Sequence, residues 1–168
     1  MTHDDDFAQY MTARWRTVVR SAVLLGCSEH EAEDLAQVTF IRCYARWERV
    51  SRADRRDAYV ARMLLNGFRD SRRRRWWRER PTEHLPETGV EDRASAHADT
   101  DAVDRALGRL TQPLREVVVL RYYTRLSERD TAEALGIAAG TVKSRLSRAL
   151  SQLAEDADIA ELTNGHRP

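Results

Sequence analysis

Thr141, Lys143, Ser144, Arg145, Ser147 and Arg148 are the residues of this chain whose types and spacing best suit them to chemistry. Val142, Leu146, Ala149, Leu150 and Leu153 recur among and beyond them at helical spacing. That pattern predicts a helix with its apolar face inward and the polar groups outward. Short hydroxyls and forked guanidinium groups match the base-edge acceptors of a DNA major groove and the phosphates on its rims. Ala138, Ala139 and Gly140 come just before, small enough for the helix start to approach a sugar-phosphate backbone. Free amides and the helix dipole favour a phosphate there. Ala138 departs from the pattern, since Ser or Pro would start the helix better.

The element that must position this face is a second short helix. Ser127 can cap it with Asp130 three residues on, Ala132 and Leu135 give it an inward side, and Gly136 supplies a left-handed stop. Ile137 then fills the angle between the two helices, and the whole reads as a helix-turn-helix. Taken alone, the pattern also fits an ordinary helical hairpin with a solvated basic face, so the rest of the chain decides.

The 168 residues suffice for one ordinary domain or two small ones, and two is the better fit. No apolar run approaches a membrane span, and Asp4-Asp5-Asp6 is acidic where a secretory signal would be basic. A cytoplasmic protein without membrane insertion is expected. Cys27 and Cys43 have no zinc or redox spacing and read as reduced thiols in or near the core. The net charge of +1 hides a segregation: residues 1–80 carry 17 basic and 12 acidic side chains, 81–104 carry 1 and 7, and 105–168 carry 10 and 8. Two basic bodies flank an acidic strip, which suits a polyanion gripped at two places.

Phe7, Tyr10, Met11, Trp15, Val18, Val19, Ala22 and Leu25 predict an amphipathic helix over 5–25, ended by Gly26. Ser28, with Glu31 three residues on, caps a second, whose stripe of Ala32, Leu35, Ala36, Phe40, Cys43, Tyr44 and Trp47 runs to about Arg49. A third, from Asp57 to Trp77, starts apolar through Tyr59, Val60, Met63, Leu64 and Phe68 and becomes the basic run Arg72 to Arg78. Pro81, Pro86, Gly89 and several acids mark residues 81–100 as a flexible linker. From Asp101 a helix through Val103, Ala106, Leu107 and Leu110 leads to Pro113, and Leu114 to Tyr123 forms an apolar helix ahead of the helix-turn-helix. Nothing reads as a strand. The expected fold is all-α: a helical domain at 1–80, the acidic linker, a helix-turn-helix domain at 101–156 and a short tail at 157–168, fraying from Thr163 to Pro168.

A basic, aromatic helical domain, an acidic linker and a C-terminal helix-turn-helix resemble the extracytoplasmic-function (ECF, group IV) sigma factors of the sigma-70 superfamily, two-domain initiation subunits of bacterial RNA polymerase. Three ordered motifs carry the resemblance, which covers nearly the whole chain. They are Glu33-Asp34-Leu35-Ala36-Gln37-Val38-Thr39-Phe40, then Tyr59-Val60-Ala61-Arg62-Met63-Leu64-Leu65-Asn66-Gly67-Phe68-Arg69-Asp70, then Gly140-Thr141-Val142-Lys143-Ser144-Arg145-Leu146-Ser147-Arg148-Ala149-Leu150.

The resemblance implies that the second helix docks on a coiled coil of the polymerase's largest subunit through Asp34 and Gln37. At a spacing of three these share one helix face. Val38 departs from the pattern, since many relatives have Glu there. The resemblance further implies that the third helix captures the −10 region as single-stranded DNA. Arg62, Asn66 and Asp70 lie on one stripe, and Arg72, Arg73, Arg74 and Arg75 hold phosphates beside Trp76 and Trp77. Thr141, Lys143, Ser144, Arg145, Ser147 and Arg148 would read the −35 duplex. An anti-sigma protein is the implied inhibitor, and no cofactor is implied. Without the resemblance, Asp34 and Gln37 read as a solvated face, and Asn66 and Asp70 as polar surface.

No catalytic reading has comparable support. His3, His30, His84, His97 and His166 are scattered, His30-Glu31 lacks the second histidine of a zinc-protease motif, and no glycine loop is built to cradle phosphate. Asp4 to Asp6 reads as a solvated terminus rather than a metal site. The rival from another class is a stand-alone helix-turn-helix regulator with an N-terminal dimerisation or sensing domain.

Overall fold

A computed structural model of the protein describes residues 3–78 and 98–160. Most of the expected linker and the end expected to fray, Thr163 to Pro168, lie outside the described residues. Helices α1 (His3–Leu25), α2 (Glu29–Tyr44), α3 (Trp47–Ser51) and α4 (Arg56–Arg78) form the N-terminal half. Helices α5 (Ala98–Arg109), α6 (Gln112–Val118), a π-helical turn (Val119–Tyr123), α7 (Glu128–Leu135) and α8 (Ala139–Ala154) form the C-terminal half, and the described residues contain no strand.

Local chemistry sets the helix ends. Gly26, at φ +111°, takes a backbone conformation that side chains with a Cβ rarely adopt, and it breaks α1 from α2. The Ser28 hydroxyl accepts the Glu31 N–H at 3.3 Å while the Glu31 carboxylate accepts the Ser28 N–H at 2.9 Å, a reciprocal cap.

The second helix stops at Tyr44, not at Arg49 as the stripe predicts. Arg46 leaves the helical region at φ −127°, ψ 20°, and a separate short helix begins at Trp47. The break lets the Trp47 ring turn into the core at 1% exposure, against Phe7 and Tyr10, with Nε1 donating to Asp6 at 3.1 Å. The acidic start is therefore more than a solvated terminus, because Asp4 also accepts the Tyr44 hydroxyl at 2.9 Å. Where α2 crosses α4, a Cβ on Gly67 would lie 2.8 Å from Leu35 Cδ1, so any larger residue there would have to displace the Leu35 side chain.

In α5 the inward stripe is Ala102, Ala106, Leu107 and Leu110, while Val103 is exposed. Ala102 lies four residues before Ala106 and shares its buried face, which leaves Val103 at the edge of the stripe. The tail starts ordered: residues 157–160 form a helical turn, and Arg109 holds Asp156 at 2.6 Å while Arg105 meets Asp158 at 3.3 Å.

The two halves are packed together. One core runs from Val18, Leu25, Leu65 and Phe68 through Leu120 to Leu135 and Val142, with α7 against α4 and the π-helical turn against α1.

Candidate nucleic-acid interfaces

In the helix-turn-helix the Ser127 hydroxyl accepts the Asp130 N–H at 3.0 Å, and Gly136 ends α7 at φ 68°, ψ 36°. The Ile137 N–H then closes on the Ala132 carbonyl at 3.0 Å, which fixes the angle at which α8 leaves. Helix α8 has Ala138 as its N-cap with no side-chain cap, and the Thr141 N–H bonds the Ala138 carbonyl at 2.9 Å, so the amides of Ala139 and Gly140 before it are not capped by a side chain. A Cβ added at Gly140 would meet nothing within 4 Å, and the helix start is open to an incoming backbone.

Val142 and Ala149 are fully buried, Leu146 and Leu153 pack partly, and Leu150, expected inward, is 39% exposed because it lies at the edge of the stripe. Lys143, Ser144, Ser147 and Arg148 face solvent, with Thr141 and Arg145 half-buried at their base. Lys143 Nζ is 3.8 Å from Glu128, and the Ser144 hydroxyl donates to the Thr141 carbonyl at 3.1 Å. These contacts are weak enough to exchange for base edges or phosphates.

A second polar surface lies on α4. Arg62 and Asn66 are exposed on one stripe, with Asp70 half-buried and 3.3 Å from Arg73. Around Asn66 is a recess lined by Arg46, Arg49, Tyr59, Arg62 and, from α7, Glu133. The Arg49 guanidinium sits 6.0 Å from the Tyr59 ring centroid. An amide, an aromatic ring and three arginines thus line one recess, the group types that single-stranded nucleic acid uses for base edges, stacking and phosphates. Arg46 and Arg49 escape the sequence reading because the break before α3 is invisible in the hydrophobic period. Only the fold brings them to Asn66.

The arginine run is partly committed. Arg72 donates to the Gly26 carbonyl at 2.6 Å and lies 5.1 Å over the Phe68 ring, and Arg75 pairs with Glu31. Arg74 is exposed, and so are Trp76 and Trp77, which meet edge to face at 5.1 Å.

On α2, Asp34 is exposed and 3.6 Å from His30 Nε2. Gln37 sits on the rim of an apolar groove lined by Phe7, Met11, Trp15, Phe40 and Ile41. Ile41, 67% exposed, continues with Val38 and Tyr44 as an apolar surface beside Asp34 and Gln37. The signal for it is the three-residue spacing of Val38, Ile41 and Tyr44; Tyr44, expected in the inward stripe, lies at its edge, 45% exposed with its ring against Phe7.

Burial pushes the Cys43 thiol up to about 11, and it raises Cys27 above its ordinary value against the pull of Arg72 and Arg75. Neither is a thiolate near neutral pH. Among the described residues no group of three His, Cys, Asp or Glu could hold a metal ion, and no helix is long and apolar enough to cross a membrane.

Residues 7–78 match the family model for Sigma-70 region 2, and residues 100–153 that for Sigma-70, region 4. The chain is 40% identical to the RNA polymerase sigma-E factor of Streptomyces coelicolor over 90% of its own length and 85% of that protein's. It is 34% identical to the ECF RNA polymerase sigma factor SigM of Mycobacterium tuberculosis over 88% of its length and 75% of that protein's. The fold is similar to the sigma factor RpoE of Bartonella quintana, solved with the anti-sigma factor NepR, at a TM-score of 0.72 and 27% identity, covering 89% of this chain and 95% of that one. An exposed polar helix on a capped helix-turn-helix, a basic helical half and these likenesses agree, and the chain belongs to the sigma-70 family as an ECF RNA polymerase sigma factor.

Proposed function

We propose that residues 1–80 bind core RNA polymerase through the Asp34 and Gln37 face of α2 and hold melted −10 DNA on α4, while residues 101–156 place α8 on the −35 duplex. The observation that carries this reading is the recess at Asn66, where an amide, an aromatic ring and arginines converge without any metal-binding cluster among the described residues. In that recess Arg62 and Asn66 face a flipped base, and Asp70 fixes the end of the stripe through Arg73. Arg72 to Arg75 add positive potential along the strand. On α8, Thr141, Lys143, Ser144, Arg145, Ser147 and Arg148 divide between base edges and phosphates. A protein inhibitor of the kind bound to the Bartonella relative would act by covering these faces, in the cytoplasm where the polymerase works. Family membership sets aside the stand-alone regulator.

The test is transcription from a genomic library by core polymerase with and without this chain. The chain should confer start-site selection with no other sigma subunit present; selection that requires a second sigma subunit would overturn the reading. Asp34→Ala with Gln37→Ala should weaken core binding while helicity and thermal unfolding stay nearly unchanged, both side chains being exposed. Unaltered affinity of this double variant for core would remove α2 as the dock. Arg145→Ala and Arg148→Ala should each weaken promoter binding, by about 1–3 kcal/mol and at one position for a base contact, or alike on all sequences for a phosphate contact. Binding titrations over a set of −35 variants separate the two, and intact affinity and preference in both would show that α8 is not the reader.

A further inference from the structure

Among the described residues, Arg125 is the one residue other than glycine with a positive φ, at 56°. It stands between the π-helical turn and α7, and its surroundings impose that conformation. The Thr124 hydroxyl donates to the Leu120 carbonyl at 2.7 Å, and the Leu126 N–H donates to the same carbonyl at 3.0 Å. Arg121 Nη1 donates to the Leu126 carbonyl, and the Leu126 side chain is 6% exposed. Ser127, next in the chain, is the cap of α7. The backbone therefore turns left-handed at residue 125 to bury Leu126 and bring Ser127 to the helix start.

Glycine takes that conformation at least cost, whereas a Cβ is brought against the following carbonyl. Arginine gives the turn nothing in return. Its side chain is exposed and makes no hydrogen bond or ion pair among the described residues. What it supplies is a free guanidinium on a rigid turn. Strain kept where it serves no packing points to a use outside the folded chain.

The place of the turn says what that use is. Glu128, the first residue of α7, lies 3.8 Å from Lys143 on the outward face of α8, so the start of α7 borders that face. Three residues, at most about 11 Å of chain, lead from Arg125 to Glu128. The carboxylates of that first turn have other partners: Glu128 faces Lys143, and Asp130 meets the Ser127 hydroxyl at 2.7 Å and Arg55 at 2.9 Å. When the second helix of a helix-turn-helix enters the major groove, the first crosses the sugar-phosphate backbone. The turn ahead of α7 then comes to the rim of the groove, where a guanidinium meets a phosphate in charge-assisted hydrogen bonds.

We propose that Arg125 clamps a phosphate of the −35 duplex, fixing α8 in the groove without reading sequence, at a cost in stability that glycine would avoid. The proposal rests on the −35 role given above to α8. Because the backbone of the turn is fixed before DNA arrives, binding orders the arginine side chain alone.

The test uses holoenzyme assembled from core polymerase and this chain, titrated against a fluorescent promoter fragment recovered by the library transcription. Arg125→Gly should weaken binding about fivefold, by the same factor on every −35 variant, and lower the slope of log affinity against log salt by about one. The thermal midpoint of the free Arg125→Gly chain should rise by about 2–4 °C as the strain is relieved. Arg125→Gln keeps the Cβ and removes the charge, so it should bind as weakly as Arg125→Gly while its midpoint stays at the wild-type value. Arg125→Lys should keep most of the affinity. Circular dichroism checks that helicity is the same in all. Wild-type affinity in Arg125→Gly or Arg125→Gln, or a loss confined to one base position, would overturn the clamp, and if Arg145→Ala still weakened binding, α8 would stand as the reader without it. A midpoint no higher in Arg125→Gly than in wild type would overturn the exchange of stability for binding. Wild-type holoenzyme indifferent to replacement of the −35 element would overturn the reading of α8 and the clamp together.

Discussion

Trp47→Ala should destabilise the protein by about 3–5 kcal/mol, the usual loss for a fully buried large aromatic, against a total of about 5–15 kcal/mol for a protein of ordinary stability. The ring is 1% exposed, packs edge to face on Phe7 at 5.3 Å and tilted on Tyr10 at 5.2 Å, and has the Arg56 guanidinium 5.1 Å from its centre. Its Nε1–H donates to Asp6, so truncation leaves both a cavity and a carboxylate without that donor. Trp47→Phe should recover most of the packing but not the hydrogen bond. Urea unfolding followed by circular dichroism measures both, and a loss below about 1 kcal/mol for Trp47→Ala would show that the three elements meeting at this ring are held by something else. Because α3 carries Arg49 and follows Arg46, unfolding around Trp47 should also dismantle the recess at Asn66.

Asn66→Ala should spare polymerase binding and closed-complex formation but reduce open complexes, by about 1–3 kcal/mol, if its amide holds the edge of an unstacked −10 base. The side chain is exposed, beside the buried Met63, so stability should change by less than about 0.5 kcal/mol and any defect reads as function. On a template with a pre-melted mismatch bubble the defect should shrink, because unpairing costs a few kcal/mol that the bubble has already supplied. Permanganate footprinting follows the melting. An Asn66→Ala holoenzyme that opened duplex promoters at the wild-type rate and extent would return Asn66 to an ordinary surface residue.

The sequence by itself determined what depends on neighbours three or four residues apart. The Ser28–Glu31 cap, the Ser127 cap, the left-handed Gly136 and the apolar stripes of α1, α4 and α8 are local devices, and each is written within one or two helical turns. From these came an all-helical chain ending in a helix-turn-helix with a solvent-facing basic helix, and the ordered motifs carried the family.

What the period could not carry was decided by tertiary contacts. A stripe running through Trp47 cannot reveal a break at Arg46, because Trp47 is apolar in either reading and only its partners Phe7, Tyr10 and Asp6 select the bent one. Nothing local explains the glycine at 67 until Leu35 is placed 2.8 Å from the Cβ it lacks. The pairs Arg55–Glu133 and Arg69–Glu116 join residues 78 and 47 positions apart, and no local pattern marks one surface arginine among many as the one that meets a buried carboxylate. Secondary structure follows the chemistry of near neighbours along the chain, whereas the docking of one helical half on the other depends on which charges and apolar faces coincide in space.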